Sequence, residues 1–152
     1  MTILQIDRTS AFDPVAFVGE GWSIVEEDER SLALAEIDLT KINFEVTLKE
    51  GEGTIDGEEK LKRLKDAGHI RLDAKVLQTL WENQHLIPVS WKEPTNGKTI
   101  YVFFDGTILW DRLSGGCFVL YLFWNEGESE WNWYYDPLDG DYATDPSPVL
   151  AS

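Results

Sequence analysis

Apolar residues recur at two spacings along this chain, helical through its middle and alternating through its last third. Residues 58–68 begin with Glu58 and Glu59, collect Lys62, Arg63 and Lys65 toward their end and stop at Gly68. That is the charge order a helix macrodipole favours and the residue a C-cap prefers, and it predicts a helix. Asp73 opens a second helix over residues 74–83, with Val76, Leu77, Leu80 and Trp81 on one face and Leu86-Ile-Pro88 ending it.

From residue 101 the period falls to two. Tyr101-Val-Phe-Phe104 and Thr107-Ile-Leu-Trp110 flank Asp105-Gly106, a dipeptide that tolerates positive φ, and read as two strands closed by a tight turn. Cys117-Phe-Val-Leu-Tyr-Leu-Phe-Trp124, the turn-like residues 125–129 and Glu130-Trp-Asn-Trp-Tyr-Tyr135 repeat the plan. In the first of these strands Val119, Tyr121 and Phe123 lie opposite Phe118, Leu120, Leu122 and Trp124, so both faces are apolar and the strand belongs in the centre of a sheet. In the second, Trp131, Trp133 and Tyr135 form a core-like face and Glu130, Asn132 and Tyr134 a wet one.

Signals before residue 58 are weaker. Residues 2–6 and 22–25 fit short strands, residues 10–14 offer turn chemistry, and the acidic run 26–29 reads as a solvated loop. Asp38 fits the cap of a helix carrying Leu39, Ile42 and Val46; Ile42, Phe44, Val46 and Leu48 also fit a strand, and the helix is the preferred reading. Residues 91–97 read as a polar connection. Two or three helices ahead of a strand-rich C-terminal half predict an α+β fold with a twisted, mainly antiparallel sheet. A length of 152 residues with 43% apolar content fits a single domain spanning 1–152.

Charge narrows the choice of partners. A net charge of −15 without a basic stripe argues against nucleic acid. Cys117 is alone, which excludes an intrachain disulfide framework. No apolar run is long enough to span a bilayer and no signal-peptide pattern follows Met1, so no membrane insertion and a cytoplasmic location are expected.

Candidate chemistry is sparse. Asp136, Asp139, Asp141 and Asp145 have the carboxylate density calcium uses, but not the spacing of an EF-hand loop, and a solvated acidic loop is the simpler reading. His69 and His85 are the only histidines and Cys117 has no cysteine partner, which argues against a transition metal; no metal and no cofactor are expected. Cys117 sits in an apolar run where thiols are inert. Glu126, Glu128 and Glu130 could pair as the carboxylates of a carbohydrate-active hydrolase, though a charged hairpin tip explains them equally. Residues 101–146 hold thirteen of the nineteen aromatic residues. Within them Tyr134, Tyr135 and Tyr142 mix with Asn132, Asp136, Asp139, Asp141, Thr144 and Asp145, rigid rings among adaptable polar groups as in binding surfaces. These tyrosines sit among aspartates, prolines and glycine, which predicts exposure.

Much of the chain resembles a family of small proteins of candidate-phylum bacteria. The resemblance is carried by Phe12-Asp-Pro, Gly19-Glu-Gly-Trp22, Asp28-Glu-Arg-Ser-Leu-Ala-Leu34, Gly57-Glu-Glu-Lys-Leu-Lys-Arg-Leu-Lys65, Leu72-Asp-Ala-Lys-Val76, Leu80-Trp-Glu-Asn-Gln84, Leu86-Ile-Pro88, Phe103-Phe-Asp-Gly-Thr107 and Pro146-Ser-Pro-Val-Leu-Ala151. In that family the segment matching residues 119–146 looks like a tryptophan scaffold with freely changing residues between. It is similar to the variable region of target proteins of diversity-generating retroelements, where template adenines are miscopied and tryptophan codons, which lack adenine, persist. Such proteins mostly use a C-type-lectin-like fold. The resemblance implies Trp124, Trp131 and Trp133 as scaffold within a variable region 117–146. Asn132, Tyr134, Tyr135, Asp136, Asp139, Gly140, Asp141, Tyr142, Thr144 and Asp145 are implied as ligand-facing positions. Pro137 and Tyr142 stand where that pattern has tryptophans. Calcium-dependent sugar binding is not implied, since Glu93-Pro-Thr-Asn96 carries an inserted threonine and Trp131-Asn-Trp133 lacks the acid of the lectin motif.

The expectation is therefore a non-enzymatic protein that binds a macromolecular ligand, a protein, through a hypervariable C-terminal surface. Its alternatives are the hydrolase and an acidic interaction or inhibitor protein that mimics a polyanion.

Overall fold

The computed structural model describes residues 1–92 and 101–151. The chain begins with β1 (Ile3–Gln5), the short helix α1 (Pro14–Phe17), β2 (Trp22–Glu27), α2 (Glu29–Leu32), β3 (Glu36–Asp38) and β4 (Asn43–Glu45). Next, β5 (Ile55–Asp56) runs straight into α3 (Gly57–Ala67), followed by β6 (Ile70–Arg71) and α4 (Ala74–Glu82). The C-terminal part supplies β7 (Tyr101–Phe103), β8 (Thr107–Asp111), β9 (Gly116–Asn125), β10 (Glu130–Pro137), β11 (Asp141–Tyr142) and β12 (Ser147–Leu150). The main sheet is open and runs β10-β9-β8-β2, with β7 also paired to β9. A second sheet runs β4-β12-β6, and β1-β3 and β5-β11 form pairs. All these pairings are antiparallel. With four α-helices among the described residues, the protein is α+β.

The two helices expected in the middle of the chain form where charge and periodicity place them. In α3 the Asp56 carboxylate accepts the Glu58 N–H at 2.7 Å, and Gly68 ends the helix at φ 77°, a left-handed conformation that costs glycine little. In α4 Asp73 accepts the Lys75 N–H at 2.9 Å, and Val76, Leu77 and Leu80 are completely buried. They pack beneath the inner face of the main sheet with Leu109, Leu120, Leu122 and Trp131. On the sheet's other side a smaller cluster joins Leu61 of α3 to Phe103, Ile108, Val119, Leu138 and Tyr142. Burial of each large apolar side chain contributes roughly 1.5–3 kcal/mol. No helix among the described residues is long and apolar enough to cross a membrane.

Three expectations are corrected. The stretch after Asp38 is not a helix: the Asp38 carboxylate caps only a 3-10 turn over Leu39–Lys41, and β4 then pairs with β12, Phe44 opposite Pro148. Non-local pairing decided between two equally good local patterns. The acidic run 26–29 is not a solvated loop either. Asp28 is buried and accepts N–H bonds from Arg30 and Arg71 at 3.1 and 2.9 Å. Burial alone would raise its carboxyl, but these bonds and the Arg30 side chain outweigh it and hold the pKa below the usual range.

The third correction concerns Asp105-Gly106, which closes no hairpin. β7 and β8 lie end to end along the same edge of β9, Tyr101 to Phe103 opposite Phe123 to Tyr121 and Leu109 to Asp111 opposite Phe118 to Gly116. They are one strand interrupted at Asp105-Gly106, and five elements meet at the interruption. The Gly106 N–H donates to Leu72 O at 2.9 Å, Gly106 O accepts the Asp28 N–H at 2.8 Å, and Arg71 Nη1 donates to Asp105 O at 2.7 Å. The buried Asp105 carboxylate accepts from Lys60 Nζ at 3.3 Å and from the Ser147 hydroxyl, which itself accepts from Lys60 at 2.6 Å. Lys60 is 2% exposed, and its ammonium lies 5.1 Å from the Phe103 ring and 5.5 Å from the Tyr142 ring.

Two substitutions test this junction. A Cβ at Gly106 would stand 2.3 Å from Arg71 O and 2.4 Å from the Leu72 carbonyl carbon, both backbone, so Gly106→Ala should cost about 2–3 kcal/mol in urea unfolding. An unchanged midpoint would mean that the residue 71–72 backbone is free to move aside. Lys60→Met leaves the buried Asp105 carboxyl without its cation and should cost about 3 kcal/mol; adding Asp105→Asn should recover much of it. Failure of the second change to recover stability would show that Lys60 acts through packing rather than charge.

Candidate ligand-binding surface

The hairpin of β9 and β10 forms as its pattern predicts. Asn125 Oδ1 accepts the Glu128 N–H at 3.3 Å, and Ser129 takes φ 52° to return the chain. The register sets Trp131 against Trp124, Trp133 against Leu122 and Tyr135 against Leu120 on the inner face. Asn132 faces Phe123, Tyr134 faces Tyr121 and Asp136 faces Val119 on the outer one. β10 is an edge strand. The Gln84 side-chain amide donates to Trp131 O at 3.0 Å and accepts the Trp131 N–H at 2.8 Å, standing in for a neighbouring strand, while Pro137 ends the ladder at the other side.

The outer face continues across β9 onto β7. Its rings form a connected group: Tyr101 lies 5.2 Å from Tyr121 and 5.7 Å from Phe123, and Tyr121 lies 5.8 Å from Phe123 and 6.4 Å from Tyr134, the last pair perpendicular. The smaller core cluster around Phe103, Val119, Leu138 and Tyr142 occupies one part of this face. Another part stays open: Tyr134 is 52% exposed, Tyr101 39%, and Tyr121, Phe123, Asn132 and Asp136 are half-buried. Burial, then the fields of Asp136, Tyr101, Tyr134 and Asp145, pushes the Tyr121 hydroxyl up to about 12. Asp136 is raised as well, by burial and then by Asp145, and no ion pair or hydrogen bond reaches its carboxylate among the described residues.

The ten residues named from the sequence therefore separate. Asn132, Tyr134 and Asp136 come together on the open face, and Asp145 lies close enough to act on Asp136 and Tyr121. Tyr135 turns inward, 4.6 Å from Trp22 and 5.3 Å from Phe118, although the edge of the sheet lets its ring stack on Tyr134 at 4.4 Å. The exposure expected for Tyr142 is overturned: it is 4% exposed, and its hydroxyl donates to Pro137 O at 2.8 Å. Burial first, then the fields of Asp136 and Asp105, raises that hydroxyl's pKa. Prolines and aspartates around Tyr142 did signal a turn, but the turn folds back against Phe103 rather than into solvent. Gly140 N donates to Pro137 O, and Gly140 O accepts the Gly57 N–H at 3.0 Å, which docks this loop on the start of α3. A Cβ at Gly57 would meet Leu138 O at 2.2 Å, so the approach requires glycine. Asp139 and Asp141 are exposed beside that anchor. Thr144 is exposed too and lines a separate apolar pocket of about 400 Å³ with Phe44, Val46, Trp91, Val102 and Pro146.

Sequence reasoning missed Tyr101, Tyr121 and Phe123. Their signal was the alternation of β9 itself: once paired with the wet face of β10, Tyr121 and Phe123 must share that face.

Other candidates remain dispersed. Among the described residues no group of three or more His, Cys, Asp or Glu side chains is arranged to hold a metal ion. Glu128 and Glu130 stand together at the exposed tip, where the hydrogen bond that a protonated Glu130 donates to the Glu128 carboxylate raises the Glu130 carboxyl. Cys117 is half-buried against the smaller core cluster. Glu93 to Asn96 and the rest of the connection after Lys92 lie outside the described residues. Comparison with protein-family models, curated proteins and solved structures gives no match for this chain.

Stability separates the tyrosines. Tyr134→Ala should shift unfolding by no more than about 0.5 kcal/mol, and Tyr135→Ala, which removes packing on Trp22 and Phe118, should cost about 2 kcal/mol. Equal losses would place both rings in the core. For Asp136 the folded pKa exceeds the unfolded one, so its charge opposes folding above the folded pKa, and that cost fades as pH falls through it. Asp136→Asn should therefore raise the melting temperature at neutral pH and show no gain below the ordinary carboxylate range. A gain that persists in acid would assign the effect to shape instead of charge.

Proposed function

We propose that this protein is a non-enzymatic ligand-binding protein whose C-terminal surface, on a C-type-lectin-like α+β scaffold, is made hypervariable by a retroelement and binds a protein ligand. The observation that carries the reading is the division of β10 between its two faces. Trp131 and Trp133 pack inward, Trp131 against Trp124, whereas Asn132, Tyr134 and Asp136 between and beyond them point to the open face. A variable surface needs this division: residues that can change without loss of the core, alternating with residues that cannot. The open face adds rigid rings and half-buried polar groups, the composition that supplies contact area at low entropic cost. Asp139, Asp141 and Thr144 extend the set of replaceable positions, and Tyr142 and Gly140 are withdrawn from it by burial and docking.

Sequencing this gene deeply across its source population tests the reading. Substitutions should concentrate in codons 117–146, fall on Asn132, Tyr134, Asp136, Asp139, Asp141 and Thr144, trace to adenines of a nearby template, and spare Trp124, Trp131 and Trp133. Uniform variation along the gene would refute diversification.

A further inference from the structure

The open face of the hairpin combines aromatic walls with the Asp136 carboxylate, which no cation among the described residues meets. From Leu113 to the C-terminus the chain contains no Lys, Arg or His and seven acidic residues. Among the described residues, no Lys or Arg lies over Tyr101, Tyr121, Phe123 or Tyr134; the cation–ring contacts are Lys60 with Phe103 and Tyr142, and Lys92 with Trp124 at 3.7 Å. Tyr121 and Tyr134 meet at 89°, forming two walls of a corner, and Asp136 is the next residue of β10 on the same face. Two residues along a strand span roughly 6.5–7 Å, within the length of a lysine or arginine stem.

The protein already uses this arrangement internally. Lys60 places its ammonium near two rings set at 82° to each other, Phe103 and Tyr142, and against the carboxylate of Asp105. Tyr121, Tyr134 and Asp136 repeat the same elements, two edge-on rings and a carboxylate, with no cation of the described chain in place. An acid half-buried beside Asp145 opposes folding, and a positive charge supplied by a ligand would offset that cost.

We infer that the open face docks a cationic segment of a protein partner, with one arginine or lysine stem lying across Tyr121 and Tyr134 and its charged end at Asp136. The inference rests on the binding reading above and adds the partner's chemistry. Tyr101 and Phe123 extend the apolar floor for the neighbouring residues of that segment.

A random linear peptide library displayed on phage and panned against the whole protein at about 0.15 M ionic strength, where long-range attraction to net charge is largely screened, tests it. Retained peptides are those that bind the native protein and not the Tyr134→Ala/Asp136→Asn variant, whose fold is checked by its melting curve. They should carry an arginine or lysine, and its replacement by norleucine should weaken binding about tenfold. Either single substitution in the protein should weaken binding as well. Retained peptides without a basic residue would overturn the cationic partner and leave the binding reading standing. Peptides that bind native protein and double variant alike, or no enrichment, would overturn both.

Discussion

The fold depends on the break in one strand. Between Phe104 and Leu109 the chain leaves the edge of β9, and the polar groups freed at Asp105-Gly106 are taken up by segments that come from four separate parts of the chain. Leu72 and Asp28 bond the Gly106 backbone, Arg71 bonds Asp105 O, and Lys60 and Ser147 bond its carboxylate. Thr107, the next residue, accepts the Ala74 N–H at 2.8 Å and donates to Glu27, tying in the start of α4. Buried backbone groups must find partners, and here those partners orient α3, α4 and the C-terminal strand on the sheet. Glycine is required because the residue 71–72 backbone occupies the space of a Cβ.

That junction determines which part of the sheet stays free. Lys60, drawn to Asp105, brings α3 across the outer face, and the 138–142 loop follows through β5, β11 and the Gly57–Gly140 contact. Phe103 and Val119 are thereby covered, whereas Tyr101, Tyr121, Phe123 and Tyr134 are left at least partly open. Edge protection acts on the same hairpin. The Gln84 amide takes up the Trp131 N–H and C=O and Pro137 offers no N–H, so both ends of the outer β10 edge are closed to another strand.

Electrostatics divides the acidic residues into two kinds. Asp28 and Asp73 are buried with cationic and N–H partners: Asp28 meets Arg30 and the Arg71 N–H, and Asp73 takes two bonds from Arg8 and one from Ser31. They hold the fold together. Asp136 is half-buried without such partners among the described residues, next to another carboxylate. A charge of −15 does not distinguish these kinds, because it counts each equally.

The sequence by itself determined the elements whose causes are local. α3 and α4 follow from caps and helical period, and the β9–β10 hairpin follows from alternation and a turn, down to the faces of Trp131, Trp133, Asn132 and Tyr134. Tertiary structure decided the cases in which two local patterns were equally good or a polar group found a distant partner. Residues 43–45 became a strand because β12 was there to pair with, and Asp105-Gly106 became a junction instead of a turn because Leu72, Arg71 and Lys60 arrived from elsewhere. Tyr142 was buried because its loop docked on α3, and Tyr101 joined the open face because β7 paired with β9 and not with β8. A turn, a strand edge or an aromatic residue among aspartates carries no local record of what will cover it; that depends on contacts between residues far apart in the chain.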